Sequence, residues 1–176
     1  VASWDNCVGL DTEFIRTDTF YPIPGLYQVA SADQVFLIDP LTIEDWQPFS
    51  TFLMDPKTLI VMHACQEDLE MLNHHMKVQP TSVVDTQFAY AFTGVDYSLS
   101  YANLVRRTIG VDLHKQETRS NWLQRPLSEE QLTYAADDVI YLVPVYQALR
   151  ERMLGAGRLS WFEEDMSIRG RYEEPD

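Results

Sequence analysis

Leu10-Asp11-Thr12-Glu13-Phe14 decides how this chain is read. It follows Cys7-Val8-Gly9, so an apolar run leads straight into two carboxylates. A run of this kind is expected of a buried strand with its acids at the end. On a strand, residues two apart share a face and lie about 7 Å apart. Asp11 and Glu13 therefore project together from the edge of a core. Paired acids there repel and lose solvation, which is costly unless something positive sits between them. Hard divalent cations prefer carboxylate oxygen and are the obvious candidates. An isolated Asp-x-Glu is nonetheless most often a strand end with two solvated acids. The rest of the chain has to decide.

The 176 residues, 45% of them hydrophobic, suffice for one domain with a good core. Cys7 and Cys65 have no partner at metal-ligand spacing, and a reduced cytoplasmic setting is the simplest reading. No apolar run approaches membrane-span length and no signal peptide is visible, so no membrane partner is expected. The chain starts at Val1, almost on a strand, as a piece of something longer would. A formal net charge of −14 argues against non-specific nucleic-acid binding by the whole surface. A local basic track remains open, because Arg106, Arg107, Lys115, Arg119 and Arg125 gather in one stretch.

Outward from the first strand, Tyr21 to Gly25 reads as a turn, and Leu26–Ala30 and Gln34–Asp39 as two strands joined as a hairpin by Ser31-Ala32-Asp33. A helix is expected from about Thr42 to Met54, with Trp46, Phe49, Phe52 and Leu53 on its apolar side. Thr58–Met62 is nearly all apolar, as in a central parallel strand. A helix over about Gln66–Met76 and a short strand at Ser82–Val84 come next. Asp85-Thr86 caps a helix through Phe92, and Ser98 or Ser100 starts another through about Ile109. Ser128 opens a long helix through about Met153, which Pro144 should kink by removing a backbone donor. Trp161–Ile168 closes the pattern as a short helix, with Arg169 to Asp176 an exposed tail. Strands first, then alternation, then helices make a mixed α/β sheet with helices on both sides.

Two more acids join the first pair. Asp68 is near the start of a helix that follows a central strand, the carboxyl end where sites in open α/β sheets collect. An ordinary first-turn acid would look the same. On the long helix, Tyr134 and Asp138 are four apart and share a face bordering a stripe of Leu132, Ala135, Val139 and Leu142. Small Ala135 and Ala136 let that helix approach the sheet closely.

Five stretches in order now carry a resemblance: Leu10–Phe14, His63–Glu70, Val84–Gln87, Ser120–Leu127 and Tyr134–Val139. The chain resembles the exonuclease domain of ribonuclease D, in the tyrosine subgroup of the DEDD 3′-5′ exonucleases. The resemblance implies a ribonuclease-H-like mixed five-stranded sheet whose second strand is antiparallel. It implies a single exonuclease domain over residues 1–176, with the family's helical HRDC accessory domains outside this chain. Asp11, Glu13, Asp68 and Asp138 match the family's four metal-binding acids, and Tyr134 the tyrosine that positions the attacking water. Two divalent ions, Mg²⁺ or Mn²⁺, are the implied cofactors. An RNA with a free 3′ end, such as a tRNA precursor, is the implied partner. The chain departs from the family at Asn121, where an acid is expected.

Further contacts are expected around this set. His63 and Gln28 are candidates for touching substrate, although a packed structural histidine is an equal reading of His63. Lys115, Arg119 and Arg125 are candidates for backbone phosphate contacts. Asp85 is read as a cap and Phe14 as a core residue. Trp122 fits stacking or packing. Glu67 and Asp137 are read as secondary. The alternatives in other classes are a DNA-directed 3′-5′ exonuclease of the same superfamily and a non-catalytic binding domain that kept the fold. The latter would be expected to have lost an acid, and none is missing.

Overall fold

The computed structural model describes residues 1–16, 21–94, 98–113 and 120–169. Strands β1 (Cys7–Ile15), β2 (Ile23–Ser31), β3 (Gln34–Ile38), β4 (Leu59–Met62) and β5 (Val83–Asp85) form one sheet in the order β3-β2-β1-β4-β5. β2 runs antiparallel to β1 and β3, whereas β1, β4 and β5 are parallel. This is the expected mixed sheet with an antiparallel second strand. The helices are α1 (Gln47–Met54), α2 (Gln66–Met76), α3 (Thr86–Ala91), α4 (Tyr101–Ile109), α5 (Glu129–Ile140), α6 (Leu142–Gly155) and α7 (Leu159–Arg169).

Strand alternation sorts side chains into two cores. Val8, Leu10, Tyr27, Val29, Ile60 and Met62 pack against α1 and α2 on one face. Val61, Val84 and Ala30 pack against α3, α4, α6 and α7 on the other. Leu26, Trp122 and Ala135 form a smaller cluster under α5. By the same parity, Asp11 and Glu13 share the face of Gly9 and point toward α5. Gly9 is what lets those helices approach: a Cβ there would sit 2.8 Å from the Val139 carbonyl and 3.1 Å from Leu142 Cβ.

Three expectations are corrected. Residues 42–46 are not helical, because Asp39 turns the chain by accepting the Leu41 N–H, and α1 begins only at Gln47 with Pro48 in its first turn. The long helix is two helices meeting at Tyr141. Pro144 has no N–H for the Ile140 carbonyl, and the helical ladder is interrupted one turn earlier, at Tyr141. Leu132 does not belong to the apolar stripe: it is 38% exposed, while Ala135 and Val139 are fully buried.

Candidate active site

All the chemistry collects at the carboxyl ends of β1, β4 and β5. Carboxylate oxygens of Asp11, Glu13 and Asp138 lie within 4.8 Å of one another. Asp68 arrives from the opposite helical layer, at the start of α2. It is held by the hydroxyl of Thr12, the β1 residue that faces that layer. β1 thus feeds the site from both its faces, Asp11 and Glu13 toward α5 and Thr12 toward α2.

Asp68 depends on an unusual turn. Ala64 adopts a left-handed backbone at φ +50°, and Cys65, the N-cap of α2, provides no side-chain cap of its own. Asp85, at the end of neighbouring β5, supplies it. Its carboxylate accepts the N–H of Ala64 and Cys65, both at 3.0 Å, and also caps α3 through the N–H of Gln87 at 2.9 Å. The expected cap is there, and it clamps two helices together.

Burial pushes all four acids upward, and for Asp11 and Glu13 the charges of the other site acids add to it. Glu13 rises to about 9, mainly through burial and then the Asp138 charge, against a hydrogen bond from Gln28. Asp68 is raised to about 7 by burial, with the Thr12 hydroxyl pulling the other way. Asp138 is raised to about 6 by burial, eased by hydrogen bonds from Tyr134 and Glu13. Asp11 is held well above the carboxylate range by burial, then by Asp68, Glu13 and Asp138. Converging oxygens that disfavour their own ionisation fit hard divalent cations, whose charge replaces the shared protons.

Tyr134 leans over this group. Its ring lies 6.1 Å from that of Trp122 and its hydroxyl bonds Asp138. Burial, then the Asp138 charge, push the phenol further above its ordinary value, so it keeps its proton at neutral pH and acts as a donor. Trp122 is buried, so packing is its role. A Cβ on Gly25 would meet Trp122 Cβ at 2.5 Å, which shows how closely β2 backs this ring.

The structure moves three expected substrate contacts inward. Gln28 is fully buried opposite Asp11 in the β1–β2 pairing. Its amide donates to Glu13 at 3.2 Å and to the Ala135 carbonyl at 3.3 Å, joining the strand acid to α5. His63 spends both ring nitrogens internally, on Thr86 Oγ1 at 2.8 Å and the Leu99 carbonyl at 3.0 Å. Arg125 forms a two-pronged ion pair with Asp39 at 2.8 and 3.1 Å, and also donates to the carbonyls of Gly25, Trp122 and Gln124. It ties the loop before α5 to β2 and β3. Lys115 and Arg119 lie outside the described residues. Asn121, the departure from the family, turns its own loop by accepting the Leu123 N–H at 3.1 Å.

Sequence reasoning missed Thr12, the clamp made by Asp85 and the contacts of Gln28. The last had a signal, since an amide inside the apolar run Leu26–Ala30 must find partners when buried.

Comparison with known proteins agrees with this geometry. A family model for 3′-5′ exonucleases matches residues 2–154. The chain is 49% identical over 158 residues to ribonuclease D of Pseudomonas paraeruginosa, covering 90% of this chain and 42% of that protein. It is 43% identical over 152 residues to ribonuclease D of Escherichia coli, covering 86% of this chain and 40% of that one. A crystal structure of Escherichia coli ribonuclease D, an exoribonuclease involved in structured RNA processing, superposes with a TM-score of 0.89 at 39% identity, over 96% of this chain and 46% of that one. The chain spans less than half the length of these relatives. With its fold, its acid cluster and most of its length matched, the chain belongs to the 3′-5′ exonuclease family and is similar within it to ribonuclease D.

Proposed function

We propose that this chain is a metal-dependent 3′-5′ exoribonuclease that releases 5′-mononucleotides from RNA 3′ ends. The convergence of Asp11, Glu13 and Asp138 oxygens within 4.8 Å, in a chain of this family, carries the reading. Asp11, Glu13, Asp68 and Asp138 would hold two divalent ions, Mg²⁺ or Mn²⁺. Such ions, when bound, supply Lewis-acid stabilisation of phosphoryl oxygens and lower the pKa of water. The Tyr134 phenol, its one proton given to Asp138, turns its oxygen to accept from the attacking water and fixes its line of approach. Gln28 and Thr12 keep Glu13 and Asp68 aimed at the site. Trp122 backs Tyr134 and limits its rotation. By similarity to the Escherichia coli enzyme, an exoribonuclease involved in structured RNA processing, the substrates are structured RNAs; a tRNA precursor with a free 3′ end is the one the family resemblance implies. Cys7 and Cys65 are free thiols, in keeping with a cytoplasmic place of action. Among the described residues, no helix is long and apolar enough to cross a membrane.

The test is digestion of a 5′-labelled RNA with a 3′-hydroxyl, in Mg²⁺, in Mn²⁺ and in chelator, beside the matching DNA. A ladder that shortens from the 3′ end, lost in chelator and faster on RNA, is expected. Cuts in circular RNA would point to an endonuclease and sink the proposal. Equal or faster digestion of the DNA would make the enzyme a DNA exonuclease of the same superfamily.

A further inference from the structure

The break between α5 and α6 is filled by a side chain from another helix. In an unbroken helix the Tyr141 N–H would bond the Asp137 carbonyl, four residues back. Here the hydroxyl of Tyr101, the first residue of α4, stands in that rung. It donates to the Asp137 carbonyl at 2.7 Å and accepts from the Tyr141 N–H at 3.3 Å. The same N–H also lies against the Val139 carbonyl. The ladder resumes with Val145 N–H to the Tyr141 carbonyl at 2.9 Å. A side chain inserted into the backbone ladder is a recognised cause of a sharp helix bend.

The position of this interruption matters. The carbonyl that Tyr101 holds belongs to the peptide linking Asp137 to Asp138, so the hydroxyl grips the backbone of a site acid. Tyr101 is itself anchored from the sheet. The Leu99 carbonyl, just before α4, accepts from His63 at 3.0 Å and from Gln87 at 3.4 Å. The His63 ring stands edge-on to Tyr101 at 6.0 Å. Ser100 caps α4 through the Asn103 N–H. The end of β4 is thereby connected through α4 to Asp138, an acid on a different element.

We propose that Tyr101 is a positioning residue for Asp138, its hydroxyl replacing the missing helical rung and setting the peptide from which that carboxylate reaches the metal site. The proposal rests on the reading of the four acids as a metal site. Wild-type protein titrated with Mn²⁺ separates the two: no Mn²⁺ binding at all fails that reading and leaves nothing for Tyr101 to position.

Tyr101→Phe keeps the ring and removes the hydroxyl. The measurements are calorimetric Mn²⁺ titration without substrate, and cleavage of a 3′-hydroxyl RNA. Loss of an outer partner of a metal ligand costs about 10-fold to 100-fold in metal affinity or activity. We expect Mn²⁺ binding weaker by about 10-fold, kcat lower by a similar factor, and KM for RNA unchanged within about twofold. Saturating Mn²⁺ should restore much of the rate. Wild-type Mn²⁺ affinity in folded Tyr101→Phe overturns the proposal, whatever its melting temperature. Should that variant not fold, Pro144→Ala serves. It returns an N–H to the Ile140 carbonyl and draws α5 and α6 toward one helix, closing the rung that Tyr101 occupies. Weaker Mn²⁺ binding in a stably folded Pro144→Ala is then expected, and unchanged binding overturns the proposal equally.

Discussion

At the scale of single residues, the site separates groups that hold charge from groups that aim it. In the proposed mechanism Tyr134 is in the second class, because its phenol stays protonated, is bonded to Asp138 and so holds its oxygen at one place. Tyr134→Phe keeps the packing against Trp122. It should lower single-turnover cleavage by about 100-fold, the cost of misplacing a reacting group by roughly 1 Å. Mn²⁺ affinity should fall by no more than about 10-fold, the cost of losing one outer hydrogen bond to Asp138. The loss of cleavage should therefore exceed it, and the melting temperature should stay near wild type. A Tyr134→Phe protein that cleaves at the wild-type rate would reduce the phenol to a packing element. Gln28 holds Glu13 from behind, with two donors used and its Oε1 buried without a partner among the described residues. An unpaired buried carbonyl costs about 1–3 kcal/mol, which suggests the amide is kept for its N–H groups. Gln28→Met fills the same space without donors, and should weaken Mn²⁺ binding about 10-fold. Unchanged Mn²⁺ binding would show that Glu13 needs no such support.

At the scale of elements, the site depends on how closely secondary structures approach. Asp85 offers one carboxylate to three backbone N–H groups of two helices, and hydrogen bonds to a charged group contribute about 1.5–3 kcal/mol each. Water replaces part of that loss, so Asp85→Ala should cost at least about 3 kcal/mol in a urea titration. Because the Ala64 turn sets the start of α2, Asp68 should shift and cleavage fall with it. A cost under about 1 kcal/mol would mean that the turn holds itself. Gly9 works by absence. The Cβ of Gly9→Ala would meet the Val139 carbonyl at 2.8 Å, and overpacking of this kind costs about 1–3 kcal/mol. The helix that yields is the one carrying Asp138, so Mn²⁺ affinity should fall along with stability. Loss of stability with intact Mn²⁺ affinity would show that the strain is absorbed elsewhere.

At the scale of the whole molecule, the acid cluster couples folding to pH and to divalent ions. Glu13, Asp68 and Asp138 have folded values raised to about 9, 7 and 6. Raised carboxylates keep more protons folded than unfolded, between the ordinary carboxylate range and those values. Stability without metal therefore falls as pH rises through that window. An ion that binds only the folded form reverses the loss by mass action. Mg²⁺ should raise the melting temperature more at pH 8.5 than at pH 5.5, and the increment should shrink in Asp11→Asn. The same Mg²⁺ increment at both pH values would mean that the acids do not shed protons when the ion binds.

What the sequence determined by itself was everything encoded at short range. Alternation placed Asp11 and Glu13 on one strand face, and a helical repeat of four placed Tyr134 beside Asp138. Ser128 marked a helix start that the structure keeps, and of the two candidates Ser98 and Ser100 the structure takes Ser100. The order of the five motifs was enough to expect the mixed sheet. What only the tertiary structure decided was which polar groups face one another across distant elements. Gln28, His63 and Arg125 look like free donors in sequence, and each is taken up internally by partners far away along the chain. Tyr101 carries no local mark at all, since its importance comes from a rung broken 40 residues later. The physical reason is that local propensity depends on neighbouring residues, whereas a buried donor is satisfied by whichever acceptor the packing of layers brings to it.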